Sequence, residues 1–107
     1  MATAAIGSNA TGQLTTSMAD IAAPSGEDWG GVVVVFHNTH TADVVVTINS
    51  DPAGTSEFEI DLVTLAANGG KYVFDLMPAL KNGDKLRAKA GTTTVVNYNV
   101  SKKVVVT

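Results

Sequence analysis

The run EFEIDLVTLAANGGKYVFDL, Glu57 to Leu76, alternates apolar and polar residues on both sides of an Asn68-Gly69-Gly70 turn signal. Phe58, Ile60 and Leu62 share one phase, Glu57, Glu59 and Asp61 the other, and Tyr72, Phe74 and Leu76 resume the alternation after the turn. Successive side chains of a strand point to opposite faces, so a period of two marks a strand with one face on a core. The expected arrangement is Phe58, Ile60 and Leu62 inward and an acidic stripe of Glu57, Glu59 and Asp61 outward. Val63–Ala67 is the one stretch where a turn of helix would fit.

Working outward, the same signals recur. Met77-Pro78-Ala79-Leu80 does not read as a central strand, because proline lacks a ladder donor. Asn82-Gly83 is the strongest hairpin signal in the chain. Leu86, Ala88 and Ala90 then alternate with Lys85, Arg87 and Lys89. Thr94–Val100 and Lys102–Thr107 read as two last strands. Upstream, Ala42, Val44, Val46 and Ile48 share a face before the Asp51-Pro52-Ala53-Gly54 turn. Val32–Phe36 is apolar without alternation, which predicts a central strand buried on both faces. Gln13–Ile21 reads as a first strand. Residues 1–12 are small and polar and read as a flexible arm, ordered only where it has something to lie on. The rest, 13–107, forms one domain. Val, Thr and Ile supply 15, 13 and 4 residues, a β-branched richness that favours strands. The expected fold is all-β, an antiparallel β-sandwich of about seven or eight strands, immunoglobulin-like or jelly-roll-like.

Composition narrows the function. The 107 residues suffice for one core and contain no cysteine, which excludes disulfides and thiolate metal sites. The longest apolar run is far short of the roughly 20 residues of a membrane span, and the N-terminus lacks the pattern of a secretory signal. Charged residues make up 16%, against about 25% in ordinary domains, and mean hydropathy is +0.18. That deficit implies a surface partly covered in the working state. Residues 1–70 hold eight acids and no lysine or arginine, while residues 71–107 hold all seven bases against two acids. Either the halves interleave and neutralise each other, or they form complementary patches that dock head-to-tail between copies. The net charge of −3 speaks against a nucleic-acid partner.

No constellation of catalytic or cofactor-binding residues stands out. His37 and His40 form an H-x-x-H pair at a strand end, without a third ligand of the kind zinc requires. Glu57, Glu59 and Asp61 on one strand do not make the two-sided carboxylate pair of a glycosidase. The serines lack a nucleophile-elbow context, and the glycines punctuate turns rather than cradle phosphate. The expectation is a protein that is not an enzyme and uses no cofactor or metal. The candidate interface residues are Glu57, Glu59, Asp61, Lys85, Arg87, Lys89 and Trp29. Trp29 is the one aromatic outside a strand pattern, either a lid on the sandwich end or a platform for a sugar ring.

One further pattern carries a resemblance. Ala23-Pro24-x-Gly26, a valine-rich strand ending in Asn38-Thr39, and a Val-x-Val strand are followed by Leu65-Ala66-Ala67-Asn68-Gly69-Gly70 and Leu80-x-x-Gly83-Asp84-x-Leu86-x-Ala88. Over about residues 19–107 this resembles the small all-β virion proteins of tailed bacteriophages. That group includes capsid decoration (cement) proteins and the particle-anchoring modules of head and tail fibres. The resemblance implies a structural virion protein made in the host cytoplasm and placed on the capsid surface. It further implies a homo-oligomer, commonly a trimer, with the major capsid protein as partner and no nucleic acid or membrane. A neck, tail or fibre-base component and a carbohydrate-binding module are the alternatives.

Overall fold

The computed structural model describes residues 3–6, 10–76 and 80–106, with side chains described over 11–75 and 80–102. The strands are β1 (Thr3–Ile6), β2 (Ala10–Gln13), β3 (Ala19–Ala22), β4 (Trp29–Asn38), β5 (Val44–Asp51), β6 (Phe58–Leu65), β7 (Lys71–Leu76), β8 (Lys85–Ala90) and β9 (Val96–Val106). They form two antiparallel sheets. Sheet A runs β1–β9–β4–β7, with β2 also on β9, and sheet B runs β3–β8–β5–β6. Among the described residues there is no α-helix, only a 3-10 turn at Pro52–Gly54. Val63–Leu65, where a helical turn would fit, completes β6.

The strand pairs are nested. β1 and β2 lie along β9, β3 pairs with β8, β4 with β7, and β5 with β6. The chain is one long antiparallel hairpin, rolled so that β4 also meets β9 and β8 also meets β5. With β1 and β2 sharing one position, eight strand positions in two sheets make a jelly roll rather than an immunoglobulin-like sandwich. Residues 1–12, expected as an arm, contribute β1 and most of β2 along β9; residues 1, 2 and 7–9 lie outside the described residues, as do Met77, Pro78 and Ala79.

Several local expectations are corrected. Gln13–Ile21 is not one strand. The Leu14 N–H donates to Val96 O in sheet A, while Thr15 O accepts the Ala90 N–H in sheet B, both at 2.9 Å. The chain therefore crosses between sheets at this point. The two segments expected after Thr93 are one strand, β9. The turns at Asn68-Gly69-Gly70 and Asn82-Gly83 close no hairpin, because the strands they join lie in opposite sheets. Positive φ at Asn68, Gly69 and Gly83 reverses the chain, but core packing decides where it goes next. Gly70 is required by space: a Cβ there would lie 2.4 Å from Ala66 O.

β4 is central in its sheet but buried on one face only. Val32, Val34 and Phe36 point into the core, whereas Val35 on the outer face is 36% exposed. An antiparallel sheet can leave one face open. β6 also departs from its expected phase. Asp61 lies opposite Ile48 and Glu59 opposite Asn49, so Ile60 is an extra residue in a β-bulge. Beyond the bulge the phase is shifted, so Leu62, opposite Thr47, faces outward and is 56% exposed. Phe58 keeps the core phase opposite Ser50 but is 53% exposed at the start of the strand, while Ile60 still packs against the core.

The core lies between the sheets. From sheet B come Val44, Val46, Ile48, Leu86, Ala88 and Ala90. From sheet A, Phe36 sits in register between Tyr72 and Tyr98. Gly12 lies opposite Tyr98, and a Cβ there would come within 2.6 Å of the tyrosine oxygen.

Candidate interface

The basic stripe occupies the outer side of sheet B, and it meets Glu57 of the expected acidic stripe within the molecule. Lys85, Arg87 and Lys89 alternate with buried Leu86, Ala88 and Ala90, as their spacing predicts. Arg87 is the hub. Its Nε donates to Asp20 on β3 at 2.9 Å, its Nη1 to Glu57 beside β6, and its Nη2 to Met18 O at 3.1 Å. Asn49 Nδ2 donates to the other oxygen of Glu57 at 2.7 Å. The Asn49 and Arg87 bonds hold the Glu57 carboxyl below its ordinary range. Lys85 reaches Asp20 at 3.7 Å. Lys89 is exposed and has no ion pair among the described residues.

The acidic stripe itself is broken by the bulge. Glu57 faces Arg87 and Glu59 is exposed beside Asn49, but Asp61 lies opposite buried Ile48 and accepts the Tyr72 hydroxyl of β7. That contact joins the edges of the two sheets and raises the Tyr72 phenol above its ordinary value, chiefly through the Asp61 bond. Asp61 Oδ1 also accepts the N–H of Leu62 at 2.9 Å.

Trp29 is a lid, not a platform. It is 7% exposed; its indole N–H donates to Glu27 at 2.8 Å, and the Lys102 ammonium stands 4.4 Å from its ring centroid. Lys102 is 3.4 Å from Glu27. The Trp29 bond, then Lys102, hold Glu27 below its ordinary range. The exposed aromatic is instead Phe58, the first residue of edge strand β6.

Every ion pair named above joins an acid from residues 1–70 to a base from residues 71–107. Nested pairing explains this, since it sets early strands beside late ones. The two charged halves therefore interleave.

Sheet A presents a different outer face. Thr11 and Gln13 of β2, Asn97 and Asn99 of β9, and Val33, Val35 and His37 of β4 form its rows. Gln13 Nε2 donates to Asn97 Oδ1 at 3.0 Å. The outer row of β7 is Lys71, Val73 and Asp75, with Val73 58% exposed. His37 and His40 do not converge with other ligands; among the described residues no three His, Asp or Glu side chains gather as a metal site.

A residue outside the candidate interface set organises one sandwich end. Asn38 is fully buried, and its amide donates to Ala42 O, Leu65 O and Ala66 O at 3.1–3.2 Å. Its oxygen accepts the His40 N–H at 2.9 Å. At the other end, Asp84 accepts the N–H groups of Ala53 and Lys81, which lower its pKa. An asparagine ending a valine run was the one available signal for Asn38.

No protein-family model and no curated protein matches the chain. Among solved structures, it is similar to a Bacillus endospore appendage, described as forming a novel family of disulfide-linked pili. The two are 14% identical with a TM-score of 0.58, over 99% of this chain and 88% of that one. The likeness establishes a shared all-β fold.

Proposed function

We propose that this protein is a non-catalytic structural subunit, a virion protein of the capsid-decoration type that binds the outer lattice of a tailed-phage capsid. Its partners are the major capsid protein and further copies of itself, and it is made in the host cytoplasm. The observation that carries the structural role is the division of its surface. Charges on sheet B are largely satisfied within the molecule, while sheet A offers a nearly neutral outer face with exposed Val35 and Val73. A small domain with so little free charge is suited to being covered. The sequence resemblance supports the phage assignment.

The test is co-sedimentation with purified capsids that lack the protein. Saturable binding to capsids, and not to free major capsid protein, is the expected result; no binding removes the decoration reading. A second reading, a filament subunit, is favoured by the fold shared with the pilus protein. Without cysteine, such a filament would lack the disulfides of that relative and rest on non-covalent contacts. Filaments of the purified protein in negative-stain electron microscopy would favour it.

A further inference from the structure

We propose that two copies pair along β7, antiparallel and about a two-fold axis through Val73, merging their A sheets into one. The proposal rests on the structural-subunit reading only in taking a second copy as the occupant.

The other edges are poor partners. β3 has four residues and a register shift, and the opposite edge of sheet A is divided between β1 and β2. β6 is bulged, and one of its N–H groups, Leu62, is already taken by Asp61. β7 is regular, in unbroken register with β4 from Leu76 to Lys71.

Its hydrogen-bonding phase follows from one contact. Asn38 N–H donates to Gly70 O at 2.8 Å, continuing the ladder. In an antiparallel pair, alternate residues bond to one side. Tyr72 and Phe74 therefore bond to β4, while Lys71, Val73 and Asp75 turn their N–H and C=O groups to the open edge.

Pairing about Val73 sets Val73 against Val73 and Lys71 against the second copy's Asp75, twice by symmetry. All are hydrogen-bonded positions, each exchanging two N–H···O bonds. The exposed valine is covered at the centre, opposite charges flank it, and Tyr72 meets Phe74 on the other face. Sliding by two residues sets Lys71 or Asp75 against Val73 instead; sliding by one mismatches the hydrogen-bonding phase. The strand is thus self-complementary in one register, as an isologous interface requires.

Sedimentation velocity over a concentration series, with a thermal melt of each variant, tests the pairing. The wild type is expected to dimerise. Lys71→Asp and Asp75→Lys each replace two opposite-charge pairs with like-charge pairs, so each should weaken dimerisation by about tenfold or more. The double variant should restore it. Val73→Pro should abolish the dimer yet leave the monomer folded, because the lost N–H faces the edge. A wild type that stays monomeric overturns the pairing. So does a dimer, trimer or filament indifferent to all four variants. Capsid binding that survives in Lys71→Asp while the dimer is lost keeps both readings; capsid binding without any dimer removes the pairing alone.

Discussion

The outer faces of the two sheets rest on the same inward alternation yet differ in chemistry. Sheet B carries a charged hub in which Arg87 ties Asp20 on one neighbouring strand to Glu57 on the far side of β5. Sheet A carries amides, a threonine and valines, and among the residues of the rows named above its charge lies at the β7 edge. The difference teaches that charged stripes read from sequence need not be docking surfaces. When chain topology sets acidic and basic strands side by side, the molecule uses much of that charge internally, and the exposed valines Val35 and Val73 lie on the other sheet.

The sharpest way to break this contrast is to place one charge on either side of β4. Val34 is 0% exposed and Val35 36%. Val34→Asp buries an unpaired carboxylate at a cost of several kcal/mol, against a total stability of about 5–15 kcal/mol. It should yield no folded protein by circular dichroism, while Val35→Asp folds and melts near the wild type. If both fold, the outer and inner faces of sheet A are misassigned.

A smaller effect is expected where sheet A ends. Asn38→Ala strips three carbonyls of their donor and should lower stability by about 2–4 kcal/mol. At about 4–8 °C per kcal/mol for a domain of this size, its melting temperature should drop clearly. An unchanged melt would show that the loops around Asn38 do not depend on its amide.

The smallest effects belong to sheet B and the ends, where the charges are solvated. Glu27, Glu57 and Asp84 are each held below their ordinary values. The unfolded chain then binds protons first on acidification. Their stabilisation is present above about pH 4 and fades as pH falls through the lowered values. Arg87→Met should flatten the acid dependence of the melting temperature by releasing Glu57, and added salt should narrow the gap between variant and wild type. An identical pH profile in the variant would mean that the hub contributes nothing measurable.

Individual residues show how much was legible. Leu86, Ala88 and Ala90 are buried as their spacing demands, because β8 is regular and flanked on both sides. Leu62 carries the same pattern but is exposed, because one extra residue at Ile60 changes the phase and nothing in the run announces a bulge. Phe58 keeps the core phase but is exposed because it begins an edge strand. The valine run named a central strand but not its open face. The Asp61–Tyr72 contact was invisible, since it requires knowing that β6 and β7 lie in different sheets with their edges together.

The sequence by itself determined an all-β chain: its period-two runs, β-branched residues and turn glycines place most strands and name much of the core. It also determined that acids precede bases along the chain. Only the tertiary structure decided that the strands nest as a jelly roll, that Asn68-Gly69 and Asn82-Gly83 carry the chain between sheets, and that the charged halves meet inside one molecule. The physical reason is that alternation states which side of a strand is apolar, a local property of the side chains. Which strand lies alongside it depends on how both sheets together bury that apolar side, and no single stretch of sequence contains that choice.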